Sequence, residues 1–325
     1  MPESVSRRAH ISWFWLRENT CQLIKVTRIS CRSGWRWVAD RPGWVEQINV
    51  VRVVFRRPCV PELRPWVTAV WWCQGAAAAE SVLPAGLAHL VLRLDGGWHA
   101  GVLHGPASRP RLVEPVPAVS AAGVVFRPGG LRPFFGAPAG TLADLSVPLS
   151  ELWSRGGNRL AGRLAGGPGP VGEPAGVGLL LDRIEGVLAA RADRTSTGTA
   201  QLIGDVQRGL RQGHSVAAVA ARLAVDRRTL GALFRREVGF GLKRYARLAR
   251  FEQALRAVRA GDAPPLGVIA AQLGFADQPH LTREFRYFAG FAPGYLHRVP
   301  GPTPWHVVHD ETFKTGRRDR GTLPS

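Results

Sequence analysis

The chain predicts an α+β multidomain protein, with an N-terminal β-rich barrel or sandwich and a C-terminal all-α domain of two helix-turn-helix units joined by a long helix. Three observations carry this. A helix-turn-helix pattern occurs twice at an offset of fifty to fifty-one residues. Between the copies, Leu242 to Ala260 contains no Gly or Pro and places Leu248, Phe251, Leu255 and Val258 at helical spacing. From Pro58 to Trp153, short apolar runs are broken by Gly and Pro instead.

The second copy, Leu266 to Phe288, reads LGVIAAQLGFADQPHLTREFRYF. Val268, Ile269, Ala271 and Leu273 form a short apolar face, Gly274 permits a tight turn, and Asp277 is placed to cap a helix keyed by Leu281, Phe285 and Phe288. Gln278, His280, Thr282, Arg283 and Arg286 are its polar positions, on the side such a helix presents to the major groove. Helix pairs of this kind also occur in unrelated domains. The first copy runs from Ser215, a cap, to Phe240. Val216 matches Leu266, Leu230 matches Leu281, Phe234 matches Phe285 and Gly239 matches Gly290. Arg227, Arg228, Arg235 and Arg236 lie at the ends of its second helix, where arginine more often meets phosphate than a base.

GFADQPHLTREF, followed by GFAP at Gly290 to Pro293, resembles the signature of the AraC/XylS family of bacterial transcription regulators. The resemblance implies a DNA-binding domain over 200–299 whose two recognition helices address successive major-groove faces of double-stranded DNA. By position it implies base contacts from Gln278, Pro279, Thr282 and Arg283 in the second unit and from Arg228 and the groove-facing positions Gly231 and Ala232 in the first. His280, polar on the same helix, joins the candidate base readers, and Arg227, Arg235, Arg236, Lys243 and Arg286 are the candidate phosphate contacts. RNA polymerase is a further partner it implies. The first unit departs from the family pattern. Gly231 and Ala232 stand where a polar residue and Arg are common, and Ala224 stands where the second copy has Gly274. The second unit is therefore expected to do more of the sequence reading.

LRPWVTAVWW, VLPAGLAHLVLRL, GPASRPRLVEP and VFRPGGLRPFFGAPAGTLADLSVPLSELW resemble, segment by segment, the N-terminal domain of one subgroup of that family. This implies a cupin-like sensor over 57–156 and a small-molecule effector of unstated identity. Trp71, His89, Phe126, Phe134 and Phe135 are the candidate effector-pocket residues, and they serve equally as ordinary core. No nucleophile with a base, no paired acid and base, and no phosphate-binding glycine motif is visible, so an enzyme is not expected. The competing reading is a small-molecule-binding or enzymatic β-barrel whose helical part mediates protein contacts.

The net charge of +19 favours a polyanionic partner. Asp205 to Arg298 holds sixteen Lys and Arg against seven Asp and Glu, a net of +9. Residues 1–56 are rich in Trp and Arg without sustained period, and are expected to be a poorly ordered extension or upstream sequence from a misassigned start. Their apolar runs are too short to span a membrane or form a secretory signal, so a cytoplasmic location follows. Cys21, Cys31, Cys59 and Cys73 match no zinc spacing and are taken as free thiols, and His89, His99 and His104 lack the companions of a metal site. Neither metal nor cofactor is expected. Residues 157–199 read as a Gly/Pro-rich linker and one amphipathic helix, Leu179 to Thr195, suited to a homodimer surface or to packing on its own N-terminal domain. The tail, 300–325, is expected to be disordered.

Overall fold

The computed structural model describes residues 10–18, 20–31, 34–39, 52–77, 80–94, 101–113, 116–153, 174–260, 263–297 and 306–308. Strands β1 (His10–Glu18), β2 (Thr20–Cys31) and β3 (Gly34–Ala39) pair antiparallel in that order. Strand β4 (Arg52–Pro58) pairs with β5 (Val67–Ala77), which starts the β domain ahead of the expected residue 57.

β6 (Glu80–Val82), β7 (Ala88–Arg93), β8 (Gly101–His104), β9 (Arg111–Val113) and β10 (Val116–Phe126) follow. Next come the one-turn helix α1 (Arg132–Phe135), β11 (Ser146–Pro148) and the one-turn helix α2 (Leu149–Leu152). The main sheet has six antiparallel strands in the order β11-β8-β7-β10-β5-β4. A third sheet, β12-β6-β9, takes its edge from β12 (His306–Val308). Ala88, Leu90 and Leu92 alternate with His89, Val91 and Arg93 along β7, and the first set lies in the core with Val70, Trp72, Ala122, Val124 and Phe126. Gly123 is needed where it stands, because a Cβ there would come within 2.5 Å of the Trp71 ring and 2.3 Å of the Leu90 carbonyl oxygen.

Helix α3 (Pro174–Arg191) begins ahead of the expected Leu179, with proline at its first position, where the missing N–H costs nothing. Its Val177, Leu180, Leu181, Ile184 and Leu188 are buried in the same core as the sheet. The apolar face considered for a dimer is thus covered within the chain. Glu185 turns inward from this helix and accepts the Val60 backbone N–H at 2.9 Å.

The helical region comprises α4 (Thr197–Arg211), α5 (Val216–Arg222), α6 (Arg227–Glu237), α7 (Leu242–Arg259), α8 (Leu266–Gln272) and α9 (Gln278–Ala289). Its core joins Leu230, Phe234, Tyr245, Leu248, Phe251, Leu255, Leu281, Phe285 and Phe288. Phe251 of α7 meets Phe285 at 5.0 Å and Phe288 at 5.2 Å between ring centroids, so the connecting helix is the floor of the second unit. On α8 the buried residues are Ile269 and Ala270, while Val268 is 44% exposed and Ala271 is also exposed. The apolar face predicted there is therefore rotated by about one residue.

Candidate nucleic-acid interface

Each second helix of the two units starts on an aspartate. Asp226 accepts the backbone N–H groups of Arg228 at 3.0 Å and Thr229 at 2.9 Å, and Asp277 accepts that of His280 at 2.5 Å. Hydrogen bonds from Thr229, with the side chain contributing most, hold the Asp226 carboxyl below its ordinary range. Ser215 caps α5 through the Ala218 N–H at 3.1 Å. The turns differ as the sequences do. Gly274 adopts φ +68° at no steric cost, whereas Ala224 is held at φ +51°, where an L-residue loses about 1–2 kcal/mol.

A basic cleft of about 1060 Å³ separates the two units. Arg227, Arg228 and Arg235 enter it from α6, Lys243, Arg247 and Arg250 from α7, and His280 and Glu284 from α9. Lys243, Arg247 and Arg250 form one stripe along α7 at helical spacing, and only the first was singled out from sequence. The stripe itself was a readable signal. Arg247 is fixed by Glu284 through two hydrogen bonds, which raise its pKa, and Arg250 donates to the Gly274 carbonyl oxygen at 3.1 Å.

On α9, Gln278, Pro279, Arg283 and Arg286 are exposed and Thr282 is half-buried. Arg283 is held only loosely, with its nearest carboxylate oxygen, on Asp277, 3.9 Å away. His280 does not share that freedom. Its Nδ1 accepts the Ala276 N–H at 3.2 Å, and its ring stands edge-on to Phe275 at 5.5 Å, so only Nε2 remains to donate. It serves the turn before it serves a base. On α6, Arg227, Arg228, Ala232 and Arg235 are exposed, while Gly231 is buried at the cleft wall and departs from the groove-facing role inferred for it. Arg236 is also less free than expected, since its Nε donates to Glu237 Oε1 at 2.8 Å.

The effector-pocket residues do not form one site. Phe126 packs with Phe134 at 5.4 Å and Phe135 at 5.7 Å, and Phe135 stacks on Trp153 at 5.2 Å. Trp71 pairs with Gly123, and His89 with Val125, on the opposite face of the sheet from Phe126. His104, facing Ser146 Oγ at 2.8 Å, is lowered to about 4 by burial and by Arg111. Among the described residues no cluster of three metal-ligating side chains occurs, the buried Cys59 and Cys73 form no disulfide, and no helix is long and apolar enough to cross a membrane. His99 and the side chains of Cys21 and Cys31 lie outside the described residues.

Residues 219–298 match the family described as helix-turn-helix domain, and residues 56–148 match a domain of unknown function, DUF6597. A putative AraC-like transcription regulator from Streptomyces antibioticus is 33% identical over 121 residues, covering 37% of this chain. The chain spans 39% of the length of that curated relative. Among solved structures, ToxT from Vibrio cholerae O395 is similar at 12% identity and a TM-score of 0.37, over 70% of this chain and 97% of that one. A second crystal form of ToxT from Vibrio cholerae gives 10% identity and a TM-score of 0.33, over 77% and 98%. The chain thus carries an AraC-type helix-turn-helix domain behind a DUF6597 domain, and is similar over part of its length to a relative named as an AraC-like transcription regulator.

Proposed function

We propose that the chain is a sequence-specific regulator of transcription that binds double-stranded DNA, its two capped helices α6 and α9 entering successive major-groove faces. One observation carries this: both recognition helices border a single basic cleft whose third wall is the connecting helix. Affinity then comes largely from phosphate contacts by Arg227, Arg228, Arg235, Lys243 and Arg286, with their usual salt dependence. Discrimination comes from Gln278, Pro279, Thr282 and Arg283. Pro279 has no side-chain donor and reads only by contact, as with a thymine methyl group, whereas Arg283 can bond guanine O6 and N7.

The N-terminal β domain modulates binding and is the place for a small-molecule effector. Such a regulator works in the cytoplasm, on the chromosome, and meets RNA polymerase and a second copy of itself at a promoter. The family points to a regulator and not to an enzyme. Gel-shift titration of the full chain against promoter DNA with random-sequence competitor tests the proposal. Tighter binding to the promoter supports it, and equal binding to both overturns it.

A further inference from the structure

The β domain grips both helix-turn-helix units at once. On the first unit, Arg132 of α1 reaches the last residue of α6, Glu237, with Nη2 to Oε1 at 2.9 Å and Nε to Oε2 at 3.1 Å. Glu237 is only 2% exposed, so this carboxylate depends on its arginines. Beside it, Gly140 lies so close that a Cβ would fall 2.5 Å from the Arg235 carbonyl oxygen, and Ala143 and Ala139 pack against Gly239. On the connecting helix, the Tyr245 ring closes on Gly86, and Leu83 is buried within the helical core. On the second unit, Arg109 lies 4.3 Å over the Tyr287 ring of α9 and donates to the Tyr287 carbonyl oxygen at 3.3 Å. The two recognition helices thus end on one and the same body.

We infer that the β domain is a splint: Arg132 and Arg109 are positioning residues that fix the separation and relative rotation of α6 and α9, and so the half-site spacing the protein accepts. Helix-turn-helix units held only by α7 could flex about its ends. Anchoring both at their far ends to one body removes that freedom, and a rigid reader rejects a site whose second half is displaced. The aromatic cluster around Phe134 lies on the same short helix as Arg132, so a shift of that helix reaches Glu237 directly. The inference about spacing rests on the DNA-binding proposal, whereas the mechanical part stands without it.

The test uses the full chain and a variant combining Arg109→Ala, Arg132→Met and Glu237→Gln, which removes the two arginine contacts, the polar part of each grip, without stranding a buried carboxylate. Nitroxides are placed at Ala232→Cys and Arg286→Cys, both exposed, with Cys21 and Cys31 replaced by Ser. Pulsed dipolar spectroscopy without DNA should give one narrow distance distribution in the parent and a distribution about twofold broader in the variant. Equal widths would overturn the splint. On DNA, one base pair inserted between half-sites moves the second by about 3.4 Å and rotates it by about 35°. The unlabelled parent should lose about tenfold in affinity and the variant less than about threefold. An equal loss in both overturns the role in spacing. A parent that prefers no sequence overturns the DNA-binding proposal instead, leaving the distance measurement to decide the splint.

Discussion

Arg247 and Glu284 form a two-point ion pair, Nη2 to Oε1 at 2.8 Å and Nε to Oε2 at 3.0 Å, that seats the second recognition helix on the connecting helix. Glu284 is 10% exposed and the Arg247 guanidinium also lies 4.7 Å from the Tyr287 ring, so the pair is desolvated enough to matter. At the corresponding position the first unit has Leu233, which cannot make this bond.

Arg247→Ala should therefore destabilise the helical domain by on the order of 2 kcal/mol, because it leaves a mostly buried carboxylate unpaired. Adding Glu284→Leu should recover part of the loss. Urea denaturation of the two single variants and the double variant gives the coupling, and additive losses would exclude it.

Arg283 is exposed and loosely held, which suits a side chain that must turn to a base. Arg283→Ala should weaken specific binding by on the order of 1–3 kcal/mol and relax preference at one base position. An equal loss on specific and random DNA would remove Arg283 from the base readers.

Arg235 and Arg236 are adjacent but differ in their engagements. Arg236 donates to Glu237, whereas Arg235 lines the cleft. Both substitutions to Ala should weaken binding without regard to sequence, Arg235→Ala the more, with a reduction of about one in the slope of affinity against salt. A larger effect from Arg236 would reverse this assignment.

Gly231 interrupts α6 with no packing reason, since a Cβ there would meet only the Arg235 guanidinium, at 3.8 Å. Gly231→Ala should raise the stability of the first unit by about 1 kcal/mol, measured by thermal or urea unfolding. A loss of stability would show that the backbone there needs glycine.

Burial raises Glu252 to about 7, against the opposing pull of Arg211 and Arg256. The folded chain thus holds a proton there that the unfolded chain releases near pH 4.5, so this residue's contribution is fully present below pH 4.5 and falls as pH rises towards 7. Glu252→Gln should remove that slope, a difference on the order of 3 kcal/mol between the ends of the window. Parallel stability curves for parent and variant would show that Glu252 does not titrate there.

The two helix-turn-helix units were legible in the sequence because their signals are local: an aspartate before each second helix, a turn residue, and apolar positions at 3.6-residue spacing. The duplication then made each copy evidence for the other. What sequence missed depends on register or on distant partners. In VTAVWW both tryptophans are apolar, so alternation alone does not choose which one faces the core. Trp72 does, and Trp71 crosses Gly123 on the other face. His89 is legible as outward from the leucines alternating around it, although residue type alone groups it with Phe126. Polarity places His280 among the base readers, and only the folded turn shows its Nδ1 engaged with Ala276. The Arg132 to Glu237 pair joins residues 105 apart, beyond the reach of any local pattern.

Sequence reading by α6 and α9 is tested by selection of genomic fragments bound by the full chain at physiological salt, followed by sequencing. A two-part motif is expected, with parts spaced by about one helical turn and the stronger information in the half contacted by α9. Recovery of fragments with no shared motif, at frequencies matching unselected DNA, would contradict it.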